Sequence, residues 1–348
     1  MIALIISLNF NPGHVSHMVA SYKQCEELCY KSIYYVDPAF LPFLPKGSNI
    51  QFVSEGISCK IDLAIFLFPS QKNLPLIWKL KHQGTKVIYI FHEPLAPMSV
   101  YRKAGFSYKY LLRLWLINRI SALIVKYSDI ILLPSRKSVN LYVRNHSYKN
   151  KNYYYLPLMY DDERTIEFIN LKRQFFSYIG TIAADHSFNE YLDFVCWAIK
   201  NDELPEFNFL IATKSRFEIP GLLRNSSRIV IKQGKAMTDE EINMCYASSI
   251  VVWNAYVRTT QSGVLAKSFM FGTPALVMRT NLNEFMHENA NVVAIDENTD
   301  KNQIKRAIQK IYRNFENFST ESRMEFEKSF YYKVYNDDLV RIINKNGE

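Results

Sequence analysis

Short, uninterrupted apolar runs, each followed by a polar loop and an amphipathic stretch, recur along the first 146 residues and again from about residue 174. The run IALIISLNF (2–10) is apolar at consecutive rather than alternate positions, the pattern of a strand buried on both faces. SIYYVD (32–37), DLAIFLFP (62–69), KVIYIFHEP (86–94) and SDIILLPS (128–135) predict further strands of the same kind. A helix is expected from the NPGHVSH loop through about Leu28, and another over 74–84, ending at Gly84. Strand–helix–strand repetition predicts an open parallel sheet with helices on both faces.

The segment 146–174 is polar, aromatic and turn-rich, and reads as a domain junction. A second alternation follows, with strands at 174–180, 207–213, 228–234, 250–255 and 274–278 and helices at 187–201, 238–249 and 261–272. Thr238 with Glu241 three residues on is a capping box. From about Thr299 the chain is helical and polar. The expected architecture is α/β, with two Rossmann-like doubly wound domains over 1–160 and 161–325.

Size agrees with this division, since 348 residues suit two domains of roughly 150–180 each. Apolar residues at 48% and charged residues at 22% describe a chain that can bury a core. The net charge of +9 favours anionic partners, without choosing among nucleic acid, lipid and phosphate-bearing substrates. The five cysteines follow no zinc spacing. Cys25 and Cys29 are expected on one face of the first helix as small buried residues, and a reducing cytoplasm is the expected location. The N-terminal apolar run lacks a basic region before it and a small-residue cleavage site after it, so it is read as a strand rather than a leader.

In open α/β sheets ligands bind beyond the carboxyl ends of the strands, so the residues that follow each strand are the candidates. After the first strand comes Gly13, with His14 beside it, leading into a helix N-terminus. His92 and Glu93 follow the 86–91 strand, where a histidine can bond hydroxyls or relay protons. In the second half, Gly180 follows a strand and permits close backbone approach, and His186 is a candidate phosphate contact. The most informative stretch is WNAYVRTTQSGVLAKSFMFGTPALV, in which a polar loop enters a helix at Gln261, Ser262 and Gly263. Backbone amides at such a helix start form an anion site suited to a diphosphate. Gly272 ends that helix. The dinucleotide-binding G-x-G-x-x-G is absent, which argues against a simple dehydrogenase.

The order of the glycine loop, HEP, SDIILLPS, YIGT, TDEEINMCYASSIVVWNAY and QSGVLAKSFMFGTP resembles glycosyltransferase family 4 over nearly the whole chain. The resemblance implies two domains facing across a cleft (the GT-B fold), a nucleoside-diphosphate sugar as donor and retention of anomeric configuration. It implies that Gln261, Ser262 and Gly263 hold the donor diphosphate, together with Gly180, Thr181 and His186. His92 matches a histidine near the transferring sugar, and Gly13 the glycine loop beside donor and acceptor. A C-terminal helix over 326–348 is implied to cross back to the first domain. The family's paired glutamates fall at Thr259 and Lys267, and its phosphate-binding Arg and Lys become Thr181 and His186. Lys214 and Lys235 are candidate replacement cations, with Lys235 and Lys267 expected at the nucleoside. No Asp-x-Asp triplet occurs, so neither a metal nor another cofactor is expected.

The stretch 101–126 carries six basic residues, and no Asp or Glu occurs between Glu93 and Asp129. It reads either as an interfacial helix resting on anionic lipid or as a buried helix with solvated ends. The expected acceptor is a hydroxyl of a saccharide, lipid-linked in surface-polysaccharide synthesis, with the enzyme at the inner face of the plasma membrane. Two rivals are a sugar-nucleotide 2-epimerase, for which Glu93 and Glu284 offer acidic groups, and a non-catalytic nucleotide-sugar-binding subunit. Nucleic acid is not an expected partner, since no recognised motif accompanies the basic stretch.

Overall fold

The computed structural model describes residues 1–57, 59–68, 70–103, 107–257, 261–297 and 299–345. It divides into two compact units, one formed by Met1–Asp161 with the chain from Tyr331 onward, the other by Asp162–Phe330.

The first unit is built on strands β1 (Ile2–Ser7), β2 (Lys31–Val36), β3 (Ile50–Phe52), β4 (Leu63–Phe66), β5 (Lys86–Ile90), β6 (Ile130–Leu133) and β7 (Tyr153–Tyr155). All pair in parallel, in the order β3-β2-β1-β4-β5-β6-β7. Its helices are α1 (Val15–Glu27), α2 (Asn73–His82), α3 (Met98–Lys103), α4 (Tyr108–Tyr127) and α5 (Arg136–Arg144). The second unit contains β8 (Phe175–Ile179), β9 (Asn208–Thr213), β10 (Ile229–Gln233), β11 (Ser249–Asn254), β12 (Ala275–Met278) and β13 (Val292–Ile295), again all parallel, in the order β10-β9-β8-β11-β12-β13. Its helices are α6 (Ile166–Ile169), α7 (Phe188–Lys200), α8 (Gly221–Arg224), α9 (Asp239–Ala247), α10 (Gly263–Met270), α11 (Lys301–Arg313) and α12 (Phe315–Ser329). A last helix, α13 (Asn336–Asn344), belongs to the first unit.

The two expected doubly wound sheets are thus both present. Each central strand is buried on both faces, as its unbroken apolar run requires: Leu4, Ile5, Ala64, Val87 and Ile88 are sealed in the first sheet, and Phe176, Ile211, Val251 and Val252 in the second. The capping box forms as expected, with the Glu241 amide donating to Thr238 Oγ1 and the Thr238 amide donating to Glu241 Oε2.

The junction segment 146–174 contains β7, and the division between the units falls within it, between Asp161 and Asp162. Two expectations change. The return to the first unit comes at Tyr331 rather than 326, because α12 continues unbroken to Ser329. Cys29 is not a buried helical residue: α1 ends at Glu27, and Cys29 follows it exposed and in left-handed conformation (φ 63°). Of these two, Cys25 is the buried one, and burial pushes its thiol up to about 12.

The returning segment is tied to α1 within the first unit. The Tyr332 hydroxyl and the Asn336 amide both donate to the Glu27 carboxylate, at 2.7 and 2.6 Å.

Candidate functional site

Strand order reverses direction between β8 and β11 in the second unit, and the carboxyl ends of those two strands border the crevice where doubly wound sheets take ligands. Gly180 follows β8 with φ +137°, a conformation that L side chains rarely adopt. A Cβ there would lie 3.4 Å from Val264 Cγ2 and 3.6 Å from the Tyr256 hydroxyl, so the glycine lets the β8 loop lie against the start of α10. The His186 ring stacks on Tyr256 with centroids 4.1 Å apart. Its Nδ1 lies 2.6 Å from the Thr181 carbonyl, which fixes Nδ1 as the protonated nitrogen. A backbone bond from Val257 to the Asp185 carbonyl (2.8 Å) joins the two loops. The structure therefore brings Gly180, Thr181, His186 and the 261–263 segment together.

At the start of α10, Gln261 and Ser262 are buried while Gly263 is exposed. Ser262 is the N-cap: its hydroxyl accepts from the Leu265 amide at 3.3 Å and donates to Asn254 Oδ1 at 2.8 Å. Gly263 and Val264 carry amides that the helix itself cannot pair. Asn254, the last residue of β11, is 2% exposed, and its Nδ2 has no partner among the described residues. A buried amide donor left open beside a helix N-terminus is suited to an anion. Sequence reading missed Asn254 and Tyr256, although both sit in the WNAY segment, where a strand ends and its loop begins.

The flanking cations are placed differently. Lys214 follows β9 and is exposed; its neighbour Ser215 accepts from the Ile182 amide at 3.1 Å, so this loop also reaches the β8 loop. Lys235 is exposed, and its charge acts on Glu241, whose carboxyl is held down first by the Thr238 amide. Lys267 requires correction. It is 6% exposed, and its Nζ binds Glu163 (2.7 Å), Asn243 (3.0 Å) and Asp239 (3.3 Å). Burial alone would lower its pKa, but the two carboxylates raise it, so the ammonium is internally paired rather than offered to a nucleoside. Thr259 lies outside the described residues.

In the first unit the corresponding reversal lies between β1 and β4. Gly13 and His14 form a short 3-10 turn after β1, with the Gly13 amide donating to Asn11 Oδ1 at 3.2 Å. His14 stacks on Phe68, which follows β4, with centroids 3.3 Å apart. His92, after β5, has its ring centroid 6.3 Å from that of Phe68. Its Nδ1 lies 4.0 Å from the exposed Glu93 carboxylate. Gly13, His14 and His92 are thus gathered at one sheet edge by Phe68, which the sequence reading did not single out.

No family model and no curated protein sequence matches the chain. Solved structures do match it along its full length. Sucrose-phosphate synthase from Thermosynechococcus elongatus is similar at TM-score 0.70 and 12% identity, covering 99% of this chain and 98% of that one. HepE from Anabaena, in complex with UDP and glucose, is similar at TM-score 0.70 and 10% identity, covering 99% of each. WaaG, a glycosyltransferase involved in lipopolysaccharide biosynthesis, is similar at TM-score 0.66 and 11% identity, again covering 99% of each. At these identities the shared property is the fold: this chain has the two Rossmann-like domains of the GT-B glycosyltransferases.

Proposed function

We propose that this protein is a glycosyltransferase that uses a nucleoside-diphosphate sugar and binds the donor diphosphate at the start of α10. The observation that carries this reading is the group formed by the α10 amides, Ser262 and the open, buried Nδ2 of Asn254 at the reversal point of the second sheet. Gly180 keeps the facing loop close without a side chain in the way. HepE, which shares the fold, has been crystallised with UDP and with UDP-glucose, so uridine is the first base to test.

We assign a retaining transfer. The bond between the anomeric carbon and the diphosphate breaks, the acceptor oxygen bonds to that carbon on the same face, and the acceptor proton passes to the departing diphosphate. Such a step needs little acid–base machinery; positioning and stabilisation of charge on the leaving group supply the catalysis. We assign the α10 amides and Asn254 Nδ2 to that charge, with His186 and Lys214 on the adjoining loops. The reading requires no metal. The acceptor we assign is a saccharide hydroxyl, lipid-linked in surface-polysaccharide assembly, in keeping with the role WaaG's name records.

The test is a melting screen against UDP, GDP, CDP and dTDP without added metal. A ligand that binds only the folded protein raises its stability by mass action. One nucleotide should raise the melting temperature, and Gly263→Asp should abolish that rise while leaving the unliganded melt intact. A normal rise in Gly263→Asp would remove the diphosphate from α10.

A further inference from the structure

Helix α4 presents two contrasting faces. Leu114, Asn118, Ser121 and Val125, spaced three or four residues apart, are buried, and the helix packs on α2 and α3. The opposite face carries Leu112 (51% exposed), Leu116 (50%) and Leu123 (42%), four and then seven residues apart, flanked by Tyr108 (86%) and Tyr127. Trp115 and Ile117 extend the apolar surface to either side, and both are exposed. The exposed residues of this helix also include Lys109, Arg113, Arg119 and Lys126, and the helix has no acid at all. The Arg119 guanidinium lies over the Trp115 ring at 5.2 Å and the Lys126 ammonium over the Tyr127 ring at 5.5 Å, so each charge sits directly against an exposed aromatic ring.

We propose that this outward face of α4 docks on an anionic lipid bilayer. Leucines at the centre, aromatic rings at the margins and cations interleaved with both match an interface whose anionic headgroups overlie an acyl layer. A second copy of the chain is a poor fit, because a symmetric contact would bring the same cations together in an apolar setting. No helix among the described residues is long and apolar enough to cross a membrane, so α4 would lie in the headgroup region rather than span. The inference rests on α4 alone and does not depend on the donor assignment.

The test is flotation of the full-length protein with vesicles of phosphatidylcholine alone or with added phosphatidylglycerol. Wild type should float with the anionic vesicles only, and salt should release it. Arg119→Glu/Lys126→Glu and, separately, Leu112→Ser/Leu116→Ser/Leu123→Ser should each weaken binding roughly tenfold or more. All five side chains are exposed, so both variants should melt as wild type does. Failure of wild type to bind anionic vesicles, or undiminished binding by the two variants, would overturn the proposal. So would concentration-dependent dimerisation that the serine variant abolishes, since the face would then belong to a second copy. None of these outcomes bears on nucleotide binding, which is read without lipid.

Discussion

The Ser262 hydroxyl stands between two roles, capping α10 through the Leu265 amide and holding Asn254 Oδ1 at 2.8 Å. Because Oδ1 is taken, the amide is left with Nδ2, a buried donor that has no partner among the described residues. Asn254→Asp would replace that donor with an anion that the α10 N-terminus itself stabilises. The fold should survive, while nucleoside-diphosphate affinity falls roughly tenfold or more, since a charge-assisted hydrogen bond becomes a repulsion. Titration calorimetry measures this, and unchanged affinity would take Asn254 out of the site.

Lys267 ties α10 to α9 and to Glu163 through one buried ammonium. Lys267→Met leaves two carboxylates facing each other without a cation. The expected cost is about 3 kcal/mol, at the low end for a broken buried pair because Asp239 retains contact with water. The pH dependence has a definite sign. The folded pKa of Lys267 is raised, so its contribution is complete below the free lysine value of about 10.4 and is lost as pH rises through the folded value. The Asp239 carboxyl is raised by burial, so folding favours its protonated form and it does not drive acid unfolding. Melting curves from neutral to alkaline pH should show this alkaline loss in wild type and a reduced one in Lys267→Met.

Gly272 ends α10 at φ +62°, and a Cβ there would sit 2.7 Å from Ser319 Oγ and 3.1 Å from the Ser319 carbonyl oxygen. Gly272→Ala therefore combines backbone strain with a clash against α12, and should cost about 1–3 kcal/mol in chemical denaturation. Gly47→Ala is the control. Its φ of +82° is similarly unfavourable, but nothing lies within 4 Å, so only the conformational cost of about 1 kcal/mol should remain. Equal losses at both positions would show that the α10–α12 approach is not tight.

Much of the fold was legible because parallel strands buried on both faces leave continuous apolar runs. IALIIS, LAIF and IVVW could be read directly, and the Thr238–Glu241 cap marked a helix start within one residue. Strand β7 was hidden because Tyr153–Tyr155, on the sheet edge, is only partly buried and lies in a polar segment. The site was legible where strand ends and glycines mark it, at Gly180 and at 261–263. It was not legible where a side chain's role depends on a distant partner. Lys267 stands where the family resemblance implies a nucleoside contact, yet its environment is set by Glu163, 104 residues away in sequence. Asn254 reads as an ordinary strand residue until Ser262 is seen to fix its orientation.

The central claim, a nucleoside diphosphate held by the start of α10, is tested most directly by amide hydrogen exchange with and without the nucleotide that raises the melting temperature. The account predicts slowed exchange at Gly263 and Val264 and in the 180–182 loop, with Asn254→Asp and Gly263→Asp both erasing it. Nucleotide binding accompanied by protection elsewhere, with the amides of Gly263 and Val264 unchanged, would contradict it.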